Sequence, residues 1–243
     1  MNDGHELALV VGGTSGLGLA VTQSLISHGY EVATVGRGDS PEGVVQHYIC
    51  DIEDVDAWQL TLKQIKANHA TIAVVGFIPG FARAVNAQSV SSSDRQKHYR
   101  LNSDYVADAH HFLAQILQSE AKLFTIGSQW TFRRGCPWLI PYMMAKQALC
   151  AITLEFHHLP QSPKVHHYCV PTMKTPAFDK VRDSFRNLGL EHEFTRLGFE
   201  NEVASPYDVS RVMIQHLIDN DTDCSIFRID TKLQISASMA LHS

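Results

Sequence analysis

The sequence predicts a single doubly wound α/β domain, with a parallel sheet covered by helices on both faces, over residues 1–243. Two observations predict this fold class: apolar runs of strand length alternate with segments of helical periodicity, and a glycine-rich turn directly follows the first run. Such alternation is typical of successive βαβ units, whose strands lie parallel in one sheet. One sheet of this kind uses nearly the whole length, so two full domains would be cramped.

The predicted elements follow one another without an internal repeat or a long linker. Strands are predicted near residues 6–11, 31–36, 47–50, 71–77, 121–127, 164–170 and 224–229. Helices are predicted near residues 15–28, 53–68, 95–118, 140–159 and 205–218. The last helix has the clearest start, with Ser205 as N-cap and Pro206 at the first helical position. Residues 174–204 have no strand of their own, and an excursion of this length predicts a lid or a substrate loop.

Composition disfavours several classes of protein. The chain has 20 Lys and Arg against 25 Asp and Glu, whereas a general nucleic-acid binder usually has a basic excess. Its 5 cysteines are widely spaced without a C-x-x-C pair, which indicates neither a disulfide framework nor a zinc site. No run approaches the roughly 20 apolar residues of a membrane helix. We therefore expect a cytoplasmic protein that binds neither nucleic acid nor membrane.

The turn after the first strand is the first motif that carries chemistry. It contains Gly12, Gly13, Thr14, Ser15, Gly16, Leu17 and Gly18. Glycines let the backbone approach a pyrophosphate, whose charge is stabilised by the free N–H groups and the dipole of the following helix. Any tight turn can use glycines, but the position between a first strand and an amphipathic helix favours a dinucleotide.

Arg37 at the end of the second strand predicts which dinucleotide binds. An acidic residue there would bond the ribose 2′-OH of NAD, whereas an arginine can pair with the 2′-phosphate of NADP. We therefore predict that NADP(H) is favoured over NAD(H). The alternative is that Arg37 is a solvated arginine neutralised by Asp39.

Tyr142 and Lys146 form the second motif, because a spacing of four residues places both on one face of a helix. A nearby cation favours phenolate, which would lower the tyrosine pKa from about 10 toward the range of a general acid or base. Such a pair is common by chance in helices. Here it is preceded by Asn102 in the helix before the fifth strand and by Ser128 at the end of that strand.

The ordered set of glycine motif, Asn102, Ser128 and Tyr142-x-x-x-Lys146 resembles the short-chain dehydrogenase/reductase family, from Leu7 to about Asp230. The expected fold is then Rossmann-like, with strand order 3-2-1-4-5-6-7. The resemblance implies that Tyr142 protonates a substrate carbonyl as NADPH delivers hydride, and that Ser128 bonds the same oxygen. It implies that Lys146 lowers the Tyr142 pKa and holds the nicotinamide ribose, while Asn102 supports a water relay.

The resemblance also completes the list of expected cofactor contacts. After the third strand the family has an acidic residue at the adenine, and its loop after the sixth strand meets the nicotinamide carboxamide. The predicted cofactor-binding residues are Gly12, Thr14, Ser15, Gly16, Leu17, Gly18, Arg37, Asp51, Ile52, Gly80, Tyr142, Lys146, Pro171 and Thr175. No metal site is expected, since adjacent histidines are poor co-ligands on a helix or strand.

The segment between Ser128 and Tyr142 predicts the substrate, a small-molecule carbonyl or alcohol. Its apolar side chains, with two that follow the sixth strand, suggest a bulky apolar or aromatic body, and the predicted lining residues are Trp130, Phe132, Trp138, Met173 and Phe178. Core packing is the alternative reading of these residues.

A second function remains open at this stage. The loop 77–80, Thr172 and residues 230–232 depart from the family's N-N-A-G, P-G and D-G-G segments. These departures motivate the alternative of a catalytically silent NAD(P)-sensing protein with the same fold.

The histidines suggest an assembly. The chain has 14, and two adjacent pairs lie on the helices that flank the fifth strand, His110–His111 and His157–His158. Members of the family often dimerise through these helices, so we expect a homodimer or homotetramer whose interface weakens as the histidines protonate.

Overall fold

The computed structural model describes residues 6–201 and 203–240, so residues 1–5, 202 and 241–243 of the predicted domain lie outside the described residues. The described chain forms one α/β unit around one sheet. Its strands lie in the order β3-β2-β1-β4-β5-β6-β7-β8, and all neighbouring pairs are parallel except β7 and β8. They are β1 (Leu7–Val11), β2 (Glu31–Gly36), β3 (Gln46–Ile49), β4 (Ile72–Phe77), β5 (Leu117–Ser128), β6 (Lys164–Val170), β7 (Cys224–Ile229) and β8 (Ile235–Ala240). The predicted fold class and the order of its seven strands are confirmed.

The antiparallel strand β8 (Ile235–Ala240) has no counterpart among the strands predicted from the sequence. It follows a turn without glycine, in which the Asp230 carboxylate accepts the N–H groups of Lys232 and Gln234. Leu233 takes the left-handed conformation in this turn, with a φ of 63°. Because these residues differ from the usual hairpin signals, the turn is not recognisable from sequence.

Eight α-helices lie in the described part of the chain. They are α1 (Gly16–Ser27), α2 (Val55–Asn68), α3 (Ser92–Tyr99), α4 (Tyr105–Leu113), α5 (Ile140–Glu155), α6 (Pro176–Asn187), α7 (Glu191–Arg196) and α8 (Pro206–Asp219). The helix predicted over 95–118 is helical from Ser92 to Leu113, with a π-helical turn at Arg100–Asp104 between α3 and α4. The predicted end at 118 is wrong, because residues 117 and 118 already belong to β5.

The core has two layers, one on each face of the sheet. Side chains of α2, α4 and α5 cover one face, and side chains of α1 and α8 cover the other. Strand β4 is buried along its whole length, which explains why Ile72–Phe77 is a continuous apolar run instead of an alternating one. The parallel strands therefore end together at one edge of the sheet, where ligands bind in open α/β folds.

The excursion 174–204 contains α6 and α7 and packs onto the segment after β5. A third apolar cluster joins them, in which Phe199 stacks on Trp130 with ring centroids 3.8 Å apart. Phe194 also stacks on Phe199, with ring centroids 4.6 Å apart. These stacked rings hold the excursion against the residues that follow Ser128. No helix among the described residues is long and apolar enough to cross a membrane.

Candidate active site

A cavity of about 660 Å³ opens at the carboxyl ends of the parallel strands. Every residue predicted to bind the cofactor lines it, from the glycine turn to Thr175. Ser128, Tyr142 and Lys146 line the same cavity, and Asn102 is fully buried behind it. The fold therefore brings the whole predicted cofactor set and the predicted catalytic residues to one place.

The glycine turn makes a cradle that side chains would fill. A Cβ atom at Gly18 would lie 1.9 Å from the Gly12 carbonyl oxygen, and one at Gly12, where φ is 81°, would lie 2.7 Å from Pro79. The Ser15 side chain makes no capping hydrogen bond, and the first turn of α1 contains no acidic residue. The N-terminal N–H groups of α1 are thus available to an anion, so the cradle fits a pyrophosphate.

Arg37 and Asp51, which follow β2 and β3, lie together in the lining of the cavity. Arg37 Nη1 is 3.4 Å from Asp51 Oδ2, and the side chains are 67% and 43% exposed. The Thr14 side chain lies beside Gly36 and Gly38, within 2.8 Å and 3.2 Å of where their Cβ atoms would be. An exposed ion pair of this kind is weak, so the guanidinium can exchange its carboxylate partner for another anion.

Burial is the largest influence on the pKa of the Tyr142 phenol. It raises the pKa of the phenol to about 12, although a side-chain hydrogen bond with Ser128 acts in the lowering direction. The net shift of the phenol pKa is therefore upward, opposite to the lowering expected from Lys146. The physical reason is that desolvation of the phenolate outweighs the contacts that favour it.

Lys146 is also held away from water. It is 3% exposed, its Nζ donates to the Ile126 carbonyl at 2.8 Å, and burial lowers its pKa to about 7. Burial thus favours the neutral amine over the ammonium, which weakens the electrostatic effect of Lys146 on the phenol.

The apolar end of the cavity differs in part from the predicted substrate wall. Trp130, Met173 and Phe178 line the cavity. Phe132 and Trp138 do not belong to that wall: Phe132 is 53% exposed, and Trp138 packs edge-on against Phe185. The prediction does not include Val181 and Phe199, two apolar residues that also line the cavity. For Phe199 the one signal is its place in the predicted substrate loop.

A family model for short chain dehydrogenases matches residues 6–185. The chain belongs to the short-chain dehydrogenase family. Its sequence is 25% identical over 152 residues to D-arabinitol 2-dehydrogenase (ribulose-forming) of Candida tropicalis. The match covers 51% of this chain and 53% of that protein, so this short-chain dehydrogenase chain spans about half the length of the curated relatives it matches.

Solved structures show the same fold at low sequence identity. A short chain dehydrogenase family protein from Francisella tularensis superposes with a TM-score of 0.79 at 18% identity, covering 95% of this chain and 99% of that one. An actinorhodin polyketide ketoreductase with NADPH gives a TM-score of 0.75 at 18% identity, with 94% and 97% covered. These likenesses support the family's fold for nearly the whole chain.

One departure from the family pattern has a structural counterpart in this short-chain dehydrogenase. Where the loop after β4 lacks the family's asparagines, the Asn102 amide holds it: Oδ1 accepts from Phe81 N–H at 3.1 Å, and Nδ2 donates to the Phe81 carbonyl at 2.8 Å. Asn102 Oδ1 and Lys146 Nζ also border the space beside Gly80, 3.5 Å and 3.3 Å from where its Cβ would be. Asn102 therefore fixes the loop and faces Lys146 across Gly80.

Proposed function

We propose that this protein is an NADP(H)-dependent oxidoreductase that reduces a ketone or aldehyde on a bulky apolar or aromatic substrate, or oxidises the corresponding alcohol. One observation carries the proposal: Ser128, Tyr142 and Lys146 line the same cavity as the glycine cradle. Bound NADP(H) would supply or accept the hydride, which is chemistry that no side chain provides. The family relationship supports a nicotinamide cofactor.

The side chains supply the proton and the polarity. With its pKa raised to about 12, the Tyr142 phenol is protonated at neutral pH and can donate to a carbonyl oxygen as that oxygen becomes an alkoxide. Ser128 bonds the same oxygen, in keeping with its contact to Tyr142. Lys146 holds the ribose, and the space beside Gly80 suits one water between Lys146 and Asn102. In the oxidative direction Tyr142 takes the proton back.

Replacing Tyr142 with Phe tests the catalytic role. We expect kcat to fall by about 10²–10⁴-fold, because the proton donor is lost, while NADPH still binds. Turnover of NADPH with bulky ketones, and of NADP⁺ with bulky alcohols and polyols, would be followed by absorbance. Tyr207→Phe, on an exposed tyrosine outside the cavity, is the control. If both wild type and Tyr142→Phe bind cofactor and neither turns over any compound, the sensing protein is the correct reading.

Replacing Arg37 with Ala tests the cofactor preference. We expect the dissociation constant for NADPH to rise about tenfold or more and that for NADH to change little, since only NADPH has the 2′-phosphate. Fluorescence titration measures both constants. Arg211→Ala is a matched control, because Arg211 is also exposed and paired to an aspartate, at 3.2 Å. Equal losses for the two cofactors would refute a phosphate clamp at Arg37.

The apolar lining supports the substrate class. Trp130, Met173 and Phe178 line the same cavity as Tyr142, and apolar walls favour an apolar body. The name of the Candida relative indicates a polyol, so polyols belong in the substrate panel. Preferential turnover of a polyol would overturn the apolar assignment and leave the redox assignment in place.

Two further expectations stay proposals. We infer a homodimer or homotetramer that involves the histidines of α4 and of the turn after α5, and measuring its mass above and below the ordinary histidine pKa tests this. A cytoplasmic location is the second, and all five cysteines are free thiols in the structure.

A further inference from the structure

A chain of buried polar groups runs behind the candidate active site, between β5, β6 and α5. Thr125 and Thr153 are 0% exposed and His167 is 2% exposed. The Thr153 hydroxyl is 2.6 Å from the Leu149 carbonyl oxygen and 2.8 Å from the Thr125 hydroxyl. Thr125 Oγ1 is in turn 2.7 Å from His167 Nδ1. The three side chains thus form one continuous series of hydrogen bonds in an otherwise apolar layer.

The direction of every hydrogen bond in this series follows from counting protons. A carbonyl oxygen only accepts, so the single hydroxyl proton of Thr153 goes to Leu149. Thr125 must then donate its own proton to Thr153, which leaves His167 Nδ1–H as the donor to Thr125. A neutral imidazole has one N–H, so His167 Nε2 is unprotonated. Burial, which lowers the pKa of His167 to about 3, agrees with this neutral form.

The Nε2 edge of His167 occupies the space that a side chain at position 127 would need. A Cβ atom on Gly127 would lie 2.3 Å from His167 Nε2 and 3.0 Å from Cys169 Sγ. Gly127 separates two groups of the active site. The Ile126 carbonyl before it accepts from Lys146 Nζ at 2.8 Å, and Ser128 after it contacts Tyr142. The imidazole therefore packs directly against the segment Ile126–Ser128.

We propose that His167 is a positioning residue of this active site. Through Thr125 and Thr153 it is fastened to α5, which carries Tyr142 and Lys146, and through its contact with Gly127 it sets the end of β5, which carries Ser128. The inference rests on the proposed function for its catalytic readout. Buried polar series of this kind fix one arrangement of the elements that they join, because each proton fits only one partner.

The central test compares three substitutions of one strand. His167→Leu removes the donor to Thr125, His167→Asn keeps a donor near the Nδ1 position, and His166→Leu removes a buried imidazole from the opposite face of β6. We expect His167→Leu to lower kcat about 10- to 100-fold with KM within about threefold, as misplaced catalytic groups do. His167→Asn should recover most of that loss, and His166→Leu should lower stability alone. Equal kcat for His167→Leu and His166→Leu would overturn the proposal.

A second measurement uses the cofactor-free protein and needs no turnover. Gly127→Ala should lower the urea midpoint in the wild-type background, since its methyl group meets the imidazole. In the His167→Ser background the same change should cost less than half as much, because the space is vacated. Equal costs in both backgrounds would show that His167 does not set the position of Gly127.

The proposed function and the positioning role can fail separately. If the wild type turns over no compound, the redox proposal fails, and NADPH affinity decides the positioning role. His167→Leu should then weaken NADPH binding about fivefold or more through a displaced Lys146, an effect that about 1 kcal/mol produces. Binding as tight as that of His166→Leu would contradict it. Should His167→Leu not fold, His167→Gln, whose amide lies nearer the Nε2 position, replaces it in the comparison with His167→Asn.

Discussion

Tyr142 and Lys146 are displaced by burial toward their neutral forms. The phenol pKa rises to about 12 and the ammonium pKa falls to about 7, with desolvation as the largest cause for both. The spacing of the pair suggests that the lysine charges the tyrosine. The structure instead places both groups where charge is costly, so that a proton held on Tyr142 is available to an incoming oxygen. Sites arranged for chemistry commonly lower stability in this way.

Lys146→Met should therefore stabilise the protein while it removes activity. The unfolded chain binds the lysine proton up to a pKa of 10.5 and the folded chain only up to about 7, so Lys146 makes stability rise with pH between these values and costs most below them. We expect the free energy of unfolding at neutral pH to increase by about 2 kcal/mol, with part of the gain lost because the Ile126 carbonyl loses its donor. Urea unfolding measures it.

The matched control for this substitution is Lys63→Met on the exposed face of α2, which should change stability by less than about 0.5 kcal/mol. A destabilised Lys146→Met would mean that the Ile126 hydrogen bond outweighs the desolvation of the ammonium.

At the scale of elements, the sequence predicts best where burial leaves one reading. Ile72–Phe77 is buried on both sides, and its unbroken apolar run could not be an exposed helix. The π-helical turn around Asn102 is different, since the Asn102 side chain bonds to Phe81, 21 residues away in the sequence. Helical periodicity reports only the spacing of apolar residues and not such contacts, so the π-helical turn could not be predicted from it.

Thr172 shows the same limit within the candidate site. In the sequence it is a departure from the family's P-G, but in the structure its Oγ1 accepts from Trp130 Nε1 at 3.1 Å. Trp130 is also stacked on Phe199 and lies under the Arg133 guanidinium, 4.5 Å from the ring centroid. The hydroxyl thus fixes one edge of an indole whose ring is already packed, and it joins the loop after β6 to the apolar lining of the cavity.

Thr172→Gly should loosen the packing of Trp130 in the cavity lining. Without Oγ1 the buried indole N–H has no acceptor from residue 172, at a cost of about 1–3 kcal/mol. We expect a lower free energy of unfolding and a lower ratio of kcat/KM for bulky over small ketones, measured on the same substrate panel. Thr172→Ser keeps the hydroxyl and should retain most of both. If Ser and Gly have equal effects, the hydrogen bond to Trp130 does not shape the cavity.

For the whole molecule, part of the high histidine content consists of buried histidines with structural hydrogen bonds. Adjacent His166 and His167 point to opposite faces of β6, and each is built into a hydrogen-bonded series. On the His166 side, Asn220 donates to His216 Nε2 at 3.0 Å, and the Tyr168 hydroxyl lies between His216 and His166, 2.9 Å and 3.4 Å from their Nδ1 atoms. Composition gives the number of histidines but does not predict which of them are buried, because burial depends on the register of the strands.

These buried imidazoles should make the whole protein sensitive to acid. Desolvation lowers the pKa of His166 to about 4 and that of His167 to about 3, from 6.5, and for His166 the nearby cations Lys122 and Lys164 act in the same direction. Between these values the unfolded chain binds more protons, so stability is complete above pH 6.5 and is lost as pH falls toward 4.

Two such groups predict a slope of about 2.7 kcal/mol per pH unit in the free energy of unfolding, measured by urea titration at a series of pH values. His166→Gln should remove about half of the slope, because one of the two buried protonation sites is gone. His192→Gln, on an exposed histidine of α7, should leave the slope unchanged. A wild type equally stable at pH 6.5 and pH 4 would show that water reaches both imidazoles in the folded state.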